Sequence, residues 1–147
     1  MDFVQTVADA SRRFVDVLES TPLDRDVPSC PGWNAADLLW HLAEVQNTWG
    51  DVVERLAMER PTVELERPDD DELADLFQRA SDRLVTALGD ADPYDECWSW
   101  DEHGGGSVAW VRRRQAHEAM IHRVDAELTA GVDLDPIPVD IAADGID

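Results

Sequence analysis

Four stretches of this chain repeat apolar side chains at helical spacing, and the pattern breaks at proline or glycine between them. From about residue 2 to 20 the stripe is Phe3, Val7, Ala10, Phe14, Val17 and Leu18, which predicts a helix with one buried face. Thr21-Pro22 ends it, because the residue before a proline is pushed out of the helical region. A second helix is predicted after Pro31-Gly32-Trp33, with Asn34 as N-cap and Asp37 three residues on in a box-like arrangement. Its stripe, Leu38, Leu42, Val45, Trp49, Val52 and Leu56, alternates steps of four and three, and Pro61 is expected to close it. The third helix follows Pro68, and the acids from Asp69 to Glu72 sit at its positive dipole end. Leu73, Leu76, Phe77, Ala80, Leu84 and Leu88 form its apolar face, with Gly89 the expected C-cap. The fourth runs from about Ser107 to Ala130 and stops at Gly131.

These elements predict an all-α fold, a four-helix bundle over residues 1–131, with no strand alternation and no internal repeat. The connection from Asp90 to Gly106 holds Trp98, Trp100, His103 and a glycine run. Connections of that length are often functional. Residues 132–147 read as a short non-helical tail. Asp135-Pro136-Ile137-Pro138-Val139 is not helical sequence, while Ile141 to Asp147 resembles the opening of a further element. The segment is either an ordered tail lying on the bundle or the start of a second domain.

Composition narrows the partners. A chain of 147 residues suits one domain with a real core. There are 33 acids against 12 bases, a net charge of -21, and every base is arginine. Such a surface repels phosphate backbones and anionic lipid, which excludes nucleic acid and membrane surfaces as partners. No run approaches the roughly 18 apolar residues of a membrane span. The start, Met1-Asp2-Phe3-Val4-Gln5, is acidic and amphipathic, unlike a secretory signal. Two cysteines, Cys30 and Cys97, are too few for a disulfide scaffold, so a cytoplasmic location with free thiols is expected.

Chemistry has few places to live on such a chain. Helix four carries two candidate faces: Trp110, Arg114, His117, Ile121, Val124 and Leu128, or Val108, Val111, Gln115, Glu118, His122 and Asp125. The second begins apolar and turns polar, as a core stripe interrupted by a site would; the competing reading is a solvent-facing row of charges. Glu118 and His122 are four apart and share a face, so a carboxylate and an imidazole can grip one metal ion from successive turns. His117 and His122 are five apart, which excludes the H-E-x-x-H arrangement of zinc proteases. His41 borders the seam of helix two, flanked by Asp37 and Glu44, and is either a third ligand or a hydrogen-bonded core histidine. Two imidazoles and one carboxylate suit Zn²⁺ with a position left for water or a ligand, and iron uses the same donors. A di-iron site needs two Glu-x-x-His pairs, and the chain offers one pair at the wrong spacing. His103 beside its glycines reads as a loop histidine, or as part of a lid. Cys30 reads as a packed thiol in the turn before helix two rather than a nucleophile. Most of the six tryptophans belong to the core, with one or two walling a pocket.

Two blocks carry a family resemblance. The segment from Val27 to Leu42, including Cys30-Pro31-Gly32-Trp33-Asn34 and Trp40-His41-Leu42, resembles the first signature of the mycothiol-dependent maleylpyruvate isomerase family of the DinB-like superfamily. Arg113 to Glu127, including His117-Glu118 and His122-Arg123-Val124-Asp125, is similar to the second. The resemblance implies a DinB-like four-helix bundle to about Gly131 and a metal, usually zinc, held by His41, Glu118 and His122. It further implies mycothiol or another low-molecular-weight thiol, deprotonated at the metal, that adds to a small-molecule electrophile as an isomerase or a thiol S-transferase. Asp125 and Asp37 are expected to support the ligands, Asp125 alternatively standing as a surface residue near the helix end. Full-length relatives commonly carry a C-terminal domain that helps form the pocket, and the chain stops about where it would begin. The alternative is therefore a non-catalytic metal-binding or interaction module, and a homodimer is compatible with either.

Overall fold

The computed structural model describes residues 1–62, 64–100 and 106–146. The molecule is mostly helical: α1 is Phe3–Glu19, α2 Ala35–Arg55, α3 Leu73–Asp90, α4 Val108–Ala130 and α5 Val139–Asp144, with a 3-10 turn at Asp70–Glu72. A two-stranded antiparallel ribbon pairs β1, Glu96–Cys97, with β2, Gly106–Ser107. His103, Gly104 and Gly105, singled out in the long connection, lie outside the described residues.

Local chemistry accounts for most helix ends. The Asn34 side chain accepts the Asp37 N–H at 2.9 Å, and the Asn34 N–H donates to the Asp37 carboxylate at 3.0 Å. This reciprocal box satisfies two otherwise orphaned donors. Ser107 accepts the Trp110 N–H at 3.2 Å to start α4, and Gly131 at φ 69 ends it.

Two ends differ from expectation, and both times tertiary contacts intervene. The second helix stops at Arg55, well before Pro61. Leu56 turns left-handed at φ 46, the Ala57 N–H returns to the Val52 carbonyl at 2.9 Å, and the Trp98 N–H then holds the Ala57 carbonyl at 2.6 Å. Gly89 does not cap the third helix, which runs through it to Asp90. Arg112 of α4 instead donates to the carbonyls of Leu88 and Ala91, both at 2.9 Å. A side chain from another helix thus does the work of a left-handed glycine.

All four long helices contribute to the core. Phe14, Leu18, Leu38, Leu42, Phe77 and Ala126 meet toward one end, with the Phe14 and Phe77 rings 4.9 Å apart. Val7, Trp49, Val52, Leu84, Leu88, Val108 and Val111 meet toward the other. α1 packs chiefly on α4, and α2 chiefly on α3. Among the described residues no helix is long and apolar enough to cross a membrane.

The expected non-helical tail is corrected by α5. Pro138 is its N-cap, extended at ψ 134, and the Pro138 carbonyl accepts the Ala142 N–H at 2.9 Å to start the helix. Ile141 is buried against Ala10, Ala119 and Met120, which ties the segment to α1 and α4. The expectation of no strands also needs correcting at the ribbon. Gly106 is required there, since a Cβ would come within 2.5 Å of the Cys97 carbonyl oxygen.

Candidate metal centre

The turn before α2 and the second half of α4 build one site. In the turn, the Val27 N–H donates to the Trp33 carbonyl at 2.9 Å and the Trp33 N–H to the Cys30 carbonyl at 3.1 Å, with Gly32 at φ 84. This compact loop places the Trp33 ring 5.0 Å from that of His41, centre to centre. It also brings the Ser29 hydroxyl to Asp125 Oδ1 at 2.5 Å. The segment thus meets α4 almost a hundred residues along the chain.

The face of α4 that starts apolar and turns polar is the inward one. Val108, Val111, Gln115, His122 and Asp125 are buried, whereas Ile121 and Leu128 of the other face are exposed. The solvent-facing alternative for this row is therefore excluded.

His41 and His122 meet with rings 4.8 Å apart, edge to face. Glu118 Oε1 lies 3.4 Å from His41 Nε2 and 3.1 Å from His122 Nε2. One donor atom from each of the three residues lies within 4.8 Å of the others. On the far side of its ring, His122 Nδ1 is 2.9 Å from Asp125 Oδ2. An ionised carboxylate only accepts, so Nδ1 donates to Asp125 and a protonated Nε2 donates to Glu118. When the Nε2 proton leaves, its lone pair faces Glu118 and His41 while Nδ1 keeps its hydrogen on Asp125.

Electrostatics agree with the geometry. Burial alone would push the His122 imidazolium down, but hydrogen bonds to Asp125 and Glu118 outweigh it and raise its pKa to about 9. Hydrogen bonds from His122 and His41, with the charge of Arg114, hold the Glu118 carboxyl far below the carboxylate range. Burial works against Asp125 as an anion, yet His122 and Ser29 keep its carboxyl low. The two carboxylates create a negative field at His122 Nε2, which either a proton or a metal cation answers. Two imidazole nitrogens and one carboxylate oxygen are a borderline donor set that fits zinc and also iron.

The remaining expected residues fall elsewhere. Asp37 spends its carboxylate on the Asn34 N–H and on Arg67 at 2.8 Å, which together hold it below its usual range. No hydrogen bond joins Asp37 to the three converging residues among those described. His117 turns away and meets Asp144 of α5 at 2.6 Å. Cys30 Sγ lies 3.9 Å from Asp125, and burial followed by that charge pushes its thiol up. It is a packed thiol, not an activated one.

Sequence reasoning passed over Ser29 and the role of Arg114. Arg114 Nη2 lies 2.9 Å from Glu118 Oε2, a pairing visible in principle as an i,i+4 opposite-charge pair. The Ser29 contact had no local signal.

No curated protein matches the chain. A family model described as the mycothiol maleylpyruvate isomerase N-terminal domain matches residues 4–127. That span takes in the turn before α2, His41, and the Glu118–His122–Asp125 row on α4. The chain belongs to the mycothiol maleylpyruvate isomerase N-terminal domain family.

Proposed function

We propose that this chain is a DinB-like four-helix bundle that binds zinc through His41, Glu118 and His122 and serves a thiol-dependent isomerase or S-transferase. The observation that carries the reading is the convergence of those three donor atoms within 4.8 Å, on a ring whose other nitrogen is already committed to Asp125. Zinc held there would stabilise the anionic form of a bound low-molecular-weight thiol, mycothiol or another, near neutral pH.

The chain's own residues prepare this. Asp125 fixes the His122 tautomer, and the two histidines with Arg114 keep Glu118 ionised. Trp33 covers the flank of His41 and limits the freedom of that ring. The reaction class is addition of the thiol sulfur to an electrophilic carbon of a small molecule. Expulsion of the thiol after bond rotation completes an isomerisation, and retention of the adduct completes an S-transfer. The free thiols of Cys30 and Cys97 fit a cytoplasmic setting.

A second reading is favoured by one observation: the matching family model describes an N-terminal domain. In that reading the chain is a non-catalytic metal-binding or interaction module. Metal analysis of protein purified without added metal, beside His41→Ala and Glu118→Ala, tests the site. Stoichiometric zinc retained by both variants would sink the ligand set. Consumption of an electrophile with mycothiol, with and without zinc, separates enzyme from module, and no turnover with any thiol favours the module.

A further inference from the structure

Glu118 divides its two oxygens between different neighbours. Oε1 faces His41 Nε2 at 3.4 Å and His122 Nε2 at 3.1 Å, while Oε2 is 2.9 Å from Arg114 Nη2, one turn earlier on α4. The Arg114 guanidinium carbon lies 5.8 Å from the centre of the Trp100 ring, within cation–π range. Trp100 stands edge-on to Trp49 at 5.0 Å and to Trp110 at 5.9 Å. Trp49 is fully buried in the core. The guanidinium is therefore held between the carboxylate it binds and the ring of Trp100, itself half exposed but packed on the buried Trp49.

Exposed i,i+4 ion pairs are common and weak. This one differs because the Glu118 side chain is only 13% exposed and its second oxygen already faces the histidines. A carboxylate with both oxygens free can meet a cation through one or both. Arginine does not give up its proton, so its positive charge beside Oε2 is the same at any working pH. We infer that Arg114 is a positioning residue that restricts Glu118 to one coordinating oxygen, Oε1, with Trp100 keeping the guanidinium in place. This rests on the metal-binding reading of His41, Glu118 and His122.

Metal affinity alone does not isolate this role. Removing Arg114 takes away a positive charge, which strengthens attraction for a dication, and also frees Oε2, which loosens the ligand. Coordination number responds only to the second effect. The test loads the full chain with Co²⁺ in place of zinc and reads its visible absorption, which is intense for four-coordinate and weak for higher-coordinate ion. The wild type is expected to show intense bands. Arg114→Met is expected to lose most of that intensity as Oε2 joins the coordination, and Arg114→Lys to restore much of it. Trp100→Leu, which changes no residue of α4, is expected to weaken the bands in the same direction by less. It decides the matter should the methionine variant fail to fold. Wild-type bands in both Arg114→Met and Trp100→Leu would overturn the inference. His41→Ala is the control: a wild-type spectrum no different from free Co²⁺ overturns the metal-site reading itself. Loaded wild type beside an empty His41→Ala, with Arg114→Met and Trp100→Leu both unchanged, overturns only the role of Arg114.

Discussion

His122 and Asp125, three residues apart on α4, meet at 2.9 Å between Nδ1 and Oδ2, and this contact decides which nitrogen faces the site. Without it a neutral imidazole would be free to carry its hydrogen on Nε2, the nitrogen that the proposed metal would need bare. The Ser29 hydroxyl holds the other Asp125 oxygen, so the orienting carboxylate is itself oriented.

Asp125→Asn is therefore expected to fold and yet weaken zinc binding by about 10- to 100-fold, the usual cost of losing a ligand's hydrogen-bond partner. Competition titration against a zinc chelator measures it. Unchanged affinity would mean that the tautomer is set by something other than Asp125.

Zinc itself should stabilise the fold. At free zinc about 100-fold above its dissociation constant the gain is about 2.7 kcal/mol, seen as a rise in Tm that a chelator reverses. The same addition should leave Glu118→Ala where it started. A rise of equal size in that variant would place the bound ion elsewhere.

Trp49 links the core to the aromatic cluster, with ring centres 5.3 Å from Trp98, 5.0 Å from Trp100 and 5.5 Å from Trp110. Trp49→Ala is expected to cost about 3–5 kcal/mol in denaturant unfolding. Asn34→Ala, which removes only the α2 cap, is expected to cost about 1 kcal/mol. A reversed order would put the stability of the molecule in helix ends rather than in the core.

The docking of α5 should depend on pH. The Asp144 carboxyl is held below the carboxylate range first by its hydrogen bond to His117 and further by the charge of Arg113. A depressed folded value gives stability that is present above the unfolded value, about 3.9. That stability is lost as pH falls through the folded value. Protection of the α5 amides from hydrogen exchange should thus hold from about pH 5 to 7 and fall below about pH 4. Asp144→Asn should remove the acid dependence. If protection in that variant still falls below about pH 4, another group controls the docking.

Much of this molecule was legible in its residues because the signals are local. The stripes of α1 to α4 follow from periodicity, and the box at Asn34 and Asp37 from hydrogen bonds that span three residues. The Glu118–His122 pair is legible for the same reason, since helical geometry alone sets residues four apart on one face. The signals failed where the deciding contact came from elsewhere. Gly89 looked like a cap because its own residue type favours one, but Arg112 of another helix took the carbonyls. Asp135 to Val139 read as non-helical around its two prolines, and Ile141 onward only as the opening of an element. Yet the helix forms from Val139 because Ile141 found a buried seat and Asp144 met Arg113 and His117.

By itself, then, the amino-acid sequence determined where the four long helices form, which residues could bind a cation, and which family they resemble. Only the tertiary structure decided that His41 stands beside Glu118 and His122, that Asp125 and Ser29 orient the ring, and that Arg114 takes the second carboxylate oxygen. The physical reason is range. Caps and stripes are decided within a few residues, whereas a site is decided by which faces the packing of separate helices brings together.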